Sequence, residues 1–409
     1  MKAESAYIFY LSSGLKCVFT PVNAPVAYCA LGVAAGSRME PPRLNGLAHL
    51  TEHMLFKGTQ KRGAFHINNR LERLGGELNA YTTKEELVVH ATVLKEDLAK
   101  ALDLLSDIFF HSTFPTQELA KEKEVIADEI SSYKESPSEL IVDEFDQLLF
   151  DGHPLSAPIL GTRHSLALVK SSDLFDFVCR YFVPSQMVLS VVANISERLM
   201  QTLAHRYFDL NSASFLAPPS FQGDLPAPFF MEKRRRTHQA HCLMGVRAYS
   251  YSEPKRIALA LLTNLLGGFS PNARLNLLLR EKYGLVYNVE ASYTPYSDSG
   301  VAGIYFGSDR NDWKRCFDLI RMELNKLCQA PLTPRQLHSV QKQLIGQMTI
   351  AADNAESKCL NQLKSVMVYG KVEPLEVLTE RVRAVTALEL MEVAQELFSP
   401  QAMSTLLYI

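Results

Sequence analysis

Two stretches of this 409-residue chain read as one amphipathic helix with different contents. The first, Leu47-Ala48-His49-Leu50-Thr51-Glu52-His53-Met54-Leu55-Phe56, sets two histidines and a carboxylate into an otherwise apolar stripe. The second, Ile257-Ala258-Leu259-Ala260-Leu261-Leu262-Thr263-Asn264-Leu265-Leu266-Gly267-Gly268, keeps the stripe but has Leu259 for His49, Leu262 for Glu52 and Thr263 for His53. A second echo follows each. Leu102-Asp103-Leu104-Leu105 leads to Pro115-Thr116-Gln117-Glu118-Leu119, and Phe317-Asp318-Leu319-Ile320 leads to Leu332-Thr333-Pro334-Arg335-Gln336-Leu337. Counted from the closing leucines, Glu129 and Gln347 then fall at matching places. The pattern predicts an internal duplication in which one copy has lost its polar residues; chance likeness of two amphipathic helices is the alternative.

The length supports the same division, because one ordinary core does not serve a chain of this size. Residues 211–228, with Pro218, Pro219, Pro226, Pro228 and a Gly223-Asp224 turn, read as an extended linker. Domains at 1–215 and 225–409 are therefore expected. In the first, Val26 to Val33 and Glu86 to Leu94 are β-rich, while 98–111 and 116–135 are helical. Clustered strands followed by helices predict an α+β fold, an antiparallel-rich sheet with helices on one face, built twice.

On a helix His49 and His53 stand over one another, a spacing that suits two imidazole ligands of one zinc ion, with Glu52 beside them to handle a proton. Catalytic zinc usually takes a third protein ligand. Pro115, Thr116 and Glu118 open a second helix, with Thr116 a candidate cap. Its inward stripe runs Leu119, Glu122, Ile126, Glu129 or Ile130, then Tyr133. A buried carboxylate needs a cation or several donors. Glu129 could be the third ligand, with Glu122 orienting a ligand or holding charge. The plainer reading leaves both glutamates at the solvent edge of the helix.

His49-x-x-Glu52-His53 resembles the inverted zincins of the pitrilysin, insulysin and mitochondrial processing peptidase family. The flanking Gly46-Leu47-Ala48 and Leu55-Phe56-Lys57-Gly58-Thr59 carry the same resemblance, as does Glu122-x-x-Val125-Ile126-x-x-Glu129-Ile130. The resemblance implies that His49, His53 and Glu129 hold one zinc ion per chain. It implies Glu52 as general base and Glu122 as supporting acid. It also implies two homologous domains facing each other across a chamber, half of a clamshell, the second inactive but supplying substrate-binding residues. Gly75-Gly76-Glu77-Leu78-Asn79-Ala80-Tyr81-Thr82 resembles the family's substrate-facing strand, whose edge would take up a peptide by strand addition at Asn79 and Ala80. Arg280 and Tyr287 resemble its Arg/Tyr pair, which would hold the scissile carbonyl.

The expectation is a zinc metalloendopeptidase that hydrolyses peptides or unfolded polypeptides. A non-catalytic scaffold, or a partner subunit of a heteromeric processing peptidase, is the alternative. Longer relatives carry four such domains, so a homodimer would restore the number, with Arg280 and Tyr287 serving the partner's zinc; a heterodimer is the other arrangement. Gly267-Gly268-Phe269-Ser270-Pro271 is either a substrate loop or a helix end whose glycines form a C-cap.

A net charge of −2 gives no electrostatic case for nucleic acid or an anionic membrane. The one sharp basic run, Lys233 to Arg236, reads as a solvated strand edge. The seven cysteines are odd in number and lack C-x-x-C spacing, as reduced and mostly buried thiols would. No apolar run approaches a membrane span, and the first residues do not read as a signal peptide. A cytoplasmic protein is expected.

Overall fold

The computed structural model describes residues 6–209, 215, 223, 226–268 and 270–409. Most of the expected linker, Pro218, Pro219 and Asp224 included, and Phe269 lie outside them. In chain order the first stretch runs β1 (Tyr7–Tyr10), β2 (Lys16–Pro21), β3 (Val26–Val33), α1 (Leu47–Leu55), α2 (Ala64–Glu72), β4 (Glu77–Thr82), β5 (Leu87–Leu94), α3 (Leu98–Phe110) and α4 (Thr116–Glu135). Then come α5 (Pro137–Leu149), α6 (Arg163–Leu168), α7 (Ser171–Tyr181), β6 (Met187–Ala193) and α8 (Glu197–Phe208). The second stretch has β7 (Phe230–Lys233), β8 (Gln239–Arg247), α9 (Arg256–Gly267), a π-helical segment at Asn276–Lys282, β9 (Val286–Pro295) and β10 (Gly300–Asp309). It closes with α10 (Trp313–Gln329), α11 (Pro334–Asp353), α12 (Ala355–Tyr369), α13 (Leu375–Ala384), α14 (Ala387–Leu397) and β11 (Ser404–Tyr408).

Two sheets result, ordered β1-β2-β6-β3-β5-β4 and β7-β11-β8-β10-β9. Leaving out β1, each lists its strands as first, last, second, fourth, third. In each, first and last pair in parallel while the remaining neighbours are antiparallel. The duplication expected from the helix echoes is therefore present in the strand order as well. The long strands match the expected β-rich runs because their apolar residues serve both faces of a covered sheet.

The described residues divide into two compact units. One takes those of 1–131, 157–222 and 351–374; the other takes those of 132–156, 223–350 and 375–409. The division differs from a single cut at the linker, because each half of the chain lends one helix to the other's sheet. Strand alternation makes this explicit. Cys17, Phe19, Cys29 and Leu31 point into the helical layer of the first sheet. Val18, Ala30, Val188 and Val192 point the other way, onto Cys359, Leu363 and Val366 of α12. In the second unit Leu243, Leu406 and Tyr408 meet Ile141, Phe145 and Leu149 of α5. Each sheet thus carries its main helical layer on one face and a borrowed helix on the other.

Buried polar contacts fix α12 in register. Thr20 donates to Gln362 at 2.7 Å, Gln362 to the Ser190 hydroxyl at 2.9 Å, and Ser190 to the Cys359 carbonyl at 2.7 Å. On the second sheet Lys233 pairs with Glu144 of α5 at 2.6 Å. All seven cysteines are free, and five of them are buried. Among the described residues no helix is long and apolar enough to cross a membrane.

Candidate metal centre

The first unit places α1 beside the edge strand β4 and brings α4 alongside. Helix α1 buries Leu47, Ala48, Leu50, Thr51, Met54 and Leu55, leaving His49, Glu52 and His53 on its remaining face. Its start is constrained from both sides. Gly46 has φ 94°, a left-handed conformation that a side chain would strain, and a Cβ there would stand 2.8 Å from the Leu160 carbonyl oxygen. Gly46 cannot cap the helix with a side chain, and Glu40 does so from upstream. Its carboxylate accepts from Gly46 N at 2.8 Å, Ala48 N at 2.6 Å and Asn45 Nδ2 at 3.0 Å.

Helix α4 begins after Phe114, whose φ of 44° is unusual for a non-glycine residue and is held by a buried ring against Phe175. The helix starts at Thr116 itself, its first turn closed by Leu119 N to the Pro115 carbonyl. Leu119, Glu122, Ile126, Ala127 and Ile130 are its buried face; Ala127 joins the stripe expected from sequence, while Tyr133, expected to close it, is only half-buried.

The two helices bring the expected donors together. His49, His53 and Glu129 each offer one donor atom, all within 4.8 Å of one another. His49 Nε2 lies 4.0 Å and His53 Nε2 3.8 Å from the two oxygens of Glu129. Ligands about 2.1 Å from one tetrahedral ion stand about 3.4 Å apart, and the two histidine–glutamate distances exceed that spacing by roughly half an ångström. His49 turns its Nε2 toward Glu129, while its buried Nδ1 has no hydrogen-bond partner. Two imidazoles and a carboxylate also form a donor set suited to zinc. The residues fit the ion.

Burial, aided by the charge of a protonated His53, pushes His49 down from 6.5 to about 4. It is therefore neutral at pH 7, the form that binds metal. Burial moves Glu52 the other way, above the usual carboxylate range, while a 2.5 Å hydrogen bond from the Thr82 hydroxyl opposes the shift. Glu122 is 5% exposed and bridges two partners, His53 Nδ1 at 2.9 Å and Lys57 Nζ at 2.7 Å. It is placed to orient a ligand.

Asn79 and Ala80 lie on β4, the edge of the first sheet, but on opposite faces. Ala80 shares its face with Leu78 and with Thr82, the residue that touches Glu52; Asn79 is exposed on the other. Arg280 belongs to the π-helical segment and Tyr287 is the second residue of β9, both in the second unit and both largely exposed. Gly268 follows α9 with φ −63° and ψ 174°, so it does not form a left-handed cap. The space explains both glycines: a Cβ on Gly267 would stand 2.5 Å from Ala291 N, and one on Gly268 2.3 Å from Asn264 Oδ1.

Sequence reasoning did not pick out Thr82, Lys57 or Glu40. A signal existed for Lys57, which follows His53 by one helical turn. Glu40 and Thr82 reach α1 from outside the helix, where periodicity says nothing.

Residues 18–163 match the family described as Insulinase (Peptidase family M16), and 169–344 match the Peptidase M16 inactive domain. An uncharacterized zinc protease of Bacillus subtilis, YmxG, is 33% identical over 382 residues, which span 92% of each chain. The chain belongs to peptidase family M16. This is the family its motifs resemble; the first match contains His49, His53 and Glu129, and the second begins before β6, the last strand of the first sheet. An uncharacterized zinc protease of Streptomyces coelicolor is a further relative, 28% identical over 94% of this chain and 86% of its own. The fold is shared with a protease from Helicobacter pylori at a TM-score of 0.92, 20% identity and 99% coverage of both chains. A Pseudomonas fluorescens structure titled as a peptidase M16 inactive domain superposes with a TM-score of 0.90, 21% identity and 98% coverage of both chains.

Proposed function

We propose that this M16 chain is a zinc-dependent endopeptidase acting on peptides or unfolded polypeptides. The observation that carries the reading is the convergence of His49, His53 and Glu129 with Glu52 on the same face of α1. His49, His53 and Glu129 would hold one zinc ion. When bound, zinc supplies a Lewis acid that polarises a peptide carbonyl and acidifies water.

The remaining work falls to the chain's own groups. One Glu52 oxygen accepts the Thr82 hydroxyl, which leaves the other to take the proton of the attacking water and pass it to the leaving amide nitrogen. Burial raises the proton affinity of Glu52, which suits a base that must also return the proton as an acid. The free edge of β4 offers backbone groups to an extended peptide, with Ala80 beneath it on the Thr82 side and Asn79 on the other. Arg280 and Tyr287 are exposed donors in the second unit, offered here as groups for a substrate carbonyl.

The test joins zinc content to cleavage of a mixed quenched-peptide library, with and without chelator, on wild type and Glu52→Gln. Stoichiometric zinc with chelator-sensitive cleavage is expected, and the variant should keep zinc while losing cleavage. Near-wild-type turnover in Glu52→Gln would defeat the assigned base. Bound zinc with no cleavage in the wild type would favour the scaffold reading.

A further inference from the structure

Among the described residues the second sheet has no counterpart of β1, and a cavity stands at the end this leaves open. In the first sheet β1 lies along β2, and its Phe9 packs against the main core. The matching strand β7 has no neighbour on that side, and Phe230 is 57% exposed. Pairing sets Phe230 of β7 beside Thr405 of β11, and Thr405 beside Met244 of β8, so the three side chains form a row on one face. That row lines a cavity of about 390 Å³ beneath α10 and the end of α14, a size within the usual range for small-ligand pockets.

The polar groups of the lining say what it would hold. Arg321 is its one charged side chain, and no carboxylate shares the lining. The guanidinium carbon stands 5.5 Å from the centre of the Phe317 ring, and its N–H fork meets no protein acceptor among the described residues. Asn325, one turn further along α10, has a side chain equally free of hydrogen bonds. Thr405 is 5% exposed, yet its hydroxyl makes no hydrogen bond among the described residues, an open demand for a polar atom inside the cavity. Beside it the Phe229 carbonyl accepts from Thr405 N at 2.7 Å and that of Lys233 from Ile409 N at 3.1 Å. The backbone groups of Phe230 and Glu232 therefore face the open edge of β7. We propose that this cavity binds the C-terminal residue of a peptide that ends in a large apolar side chain. The carboxylate meets the Arg321 fork, which matches its two oxygens, and the side chain lies on the Phe230–Thr405–Met244 row. The preceding amides supply partners for Thr405 and for the edge of β7. A free alkyl acid would satisfy Arg321 but neither of these. The inference uses no group of the metal centre and stands without the peptidase reading.

Trp313, the one tryptophan of the chain, is the reporter, since its ring lies 6.5 Å from that of Phe317. Its fluorescence is titrated in the full chain with N-acetyl-Ala-Ala-Phe, with the same peptide as its C-terminal amide, and with octanoate. Mass spectrometry checks that the peptides stay intact and reads alkylation of Cys328, which lines the cavity. The free acid should give a saturable change with a Kd of about a millimolar or tighter, and should slow alkylation of Cys328. The amide, and the acid on Arg321→Met, should bind about tenfold or more weakly, with Arg321→Lys in between. Arg321 is exposed, and thermal melting verifies that its variants fold; the acid–amide comparison on wild type decides the matter without them. Equal binding of acid and amide overturns the proposal, as does octanoate binding more tightly than the peptide. So does the absence of both a saturable change and protection of Cys328.

Discussion

Helices α1 and α9 hold the same place in two units of the same strand order, and they differ in what they can tolerate. Leu259 and Leu262 are fully buried, and α9 packs against α13, α14 and β9. Their counterparts His49 and Glu52 lie on a half-buried face, with one imidazole nitrogen unpartnered and a carboxyl above its usual range. The fold therefore does not require polar residues here. A second copy is built without them, and where they occur they carry a desolvation cost. Groups kept at such a cost are candidates for chemistry rather than packing.

The largest effect should come from writing α9 into α1. A His49→Leu/His53→Thr double variant is expected to lose stoichiometric zinc and to reduce any peptide cleavage by roughly a thousandfold or more, since several kcal/mol of charge stabilisation leave with the ion. Its metal-free form should melt close to metal-free wild type, because a gain of about 1–2 kcal/mol as the orphaned His49 nitrogen goes is offset by the loss of the His53 Nδ1 bond to the buried Glu122. Metal analysis and paired melts check both parts. Retained zinc would break the assignment, and a strongly destabilised variant would break the account of the cost.

The reverse exchange should fail. Leu262→Glu places a carboxyl into a site with no exposure, and a loss of about 3–5 kcal/mol is expected in denaturant unfolding. Near-wild-type stability would mean that α9 is as open as α1, and the contrast between the two helices would disappear.

Acid sharpens the comparison further. Folded His49 titrates near 4 rather than 6.5, so between those values the unfolded chain binds a proton that the native chain does not. Stability of the metal-free protein should then be complete above pH 6.5 and fall as pH drops toward 4. This one group accounts for up to about 3 kcal/mol across the window. Denaturant midpoints measured through it should slope less steeply in His49→Leu. An identical slope would show that other groups carry the acid sensitivity.

Much of this was legible locally. The four-residue step from His49 to His53 and the seven-residue step from Glu122 to Glu129 are helix periods, and the structure brings these residues together. The run Val26 to Val33 became β3 with those bounds. The exchange of α5 and α12 was not legible. A stripe such as Ile141, Phe145 and Leu149 says that a helix will be buried, but not against which sheet. The contacts of Thr82 with Glu52 and of Glu40 with the start of α1 are set by chain folding over distance, which leaves no periodic trace.

The exchange itself offers the smallest and most discriminating test. Each borrowed helix crosses a glycine, in β3 of the first sheet and in β8 of the second. A Cβ on Gly32 of β3 would come within 2.9 Å of Leu363 Cδ2 and 3.1 Å of Met367 Cε, the flexible ends of two α12 side chains. A Cβ on Gly245 of β8 would meet the Ala302 carbonyl oxygen at 2.8 Å and the Phe145 ring of α5 at 3.0 Å. Backbone and a buried aromatic ring yield less readily than side-chain tips. Gly245→Ala should therefore cost about 1–3 kcal/mol, and Gly32→Ala about 1 kcal/mol or less. Urea unfolding of both single variants measures the difference. Equal penalties would mean that the two helices are seated with the same tolerance, and that the likeness between the units extends to how each holds its borrowed helix.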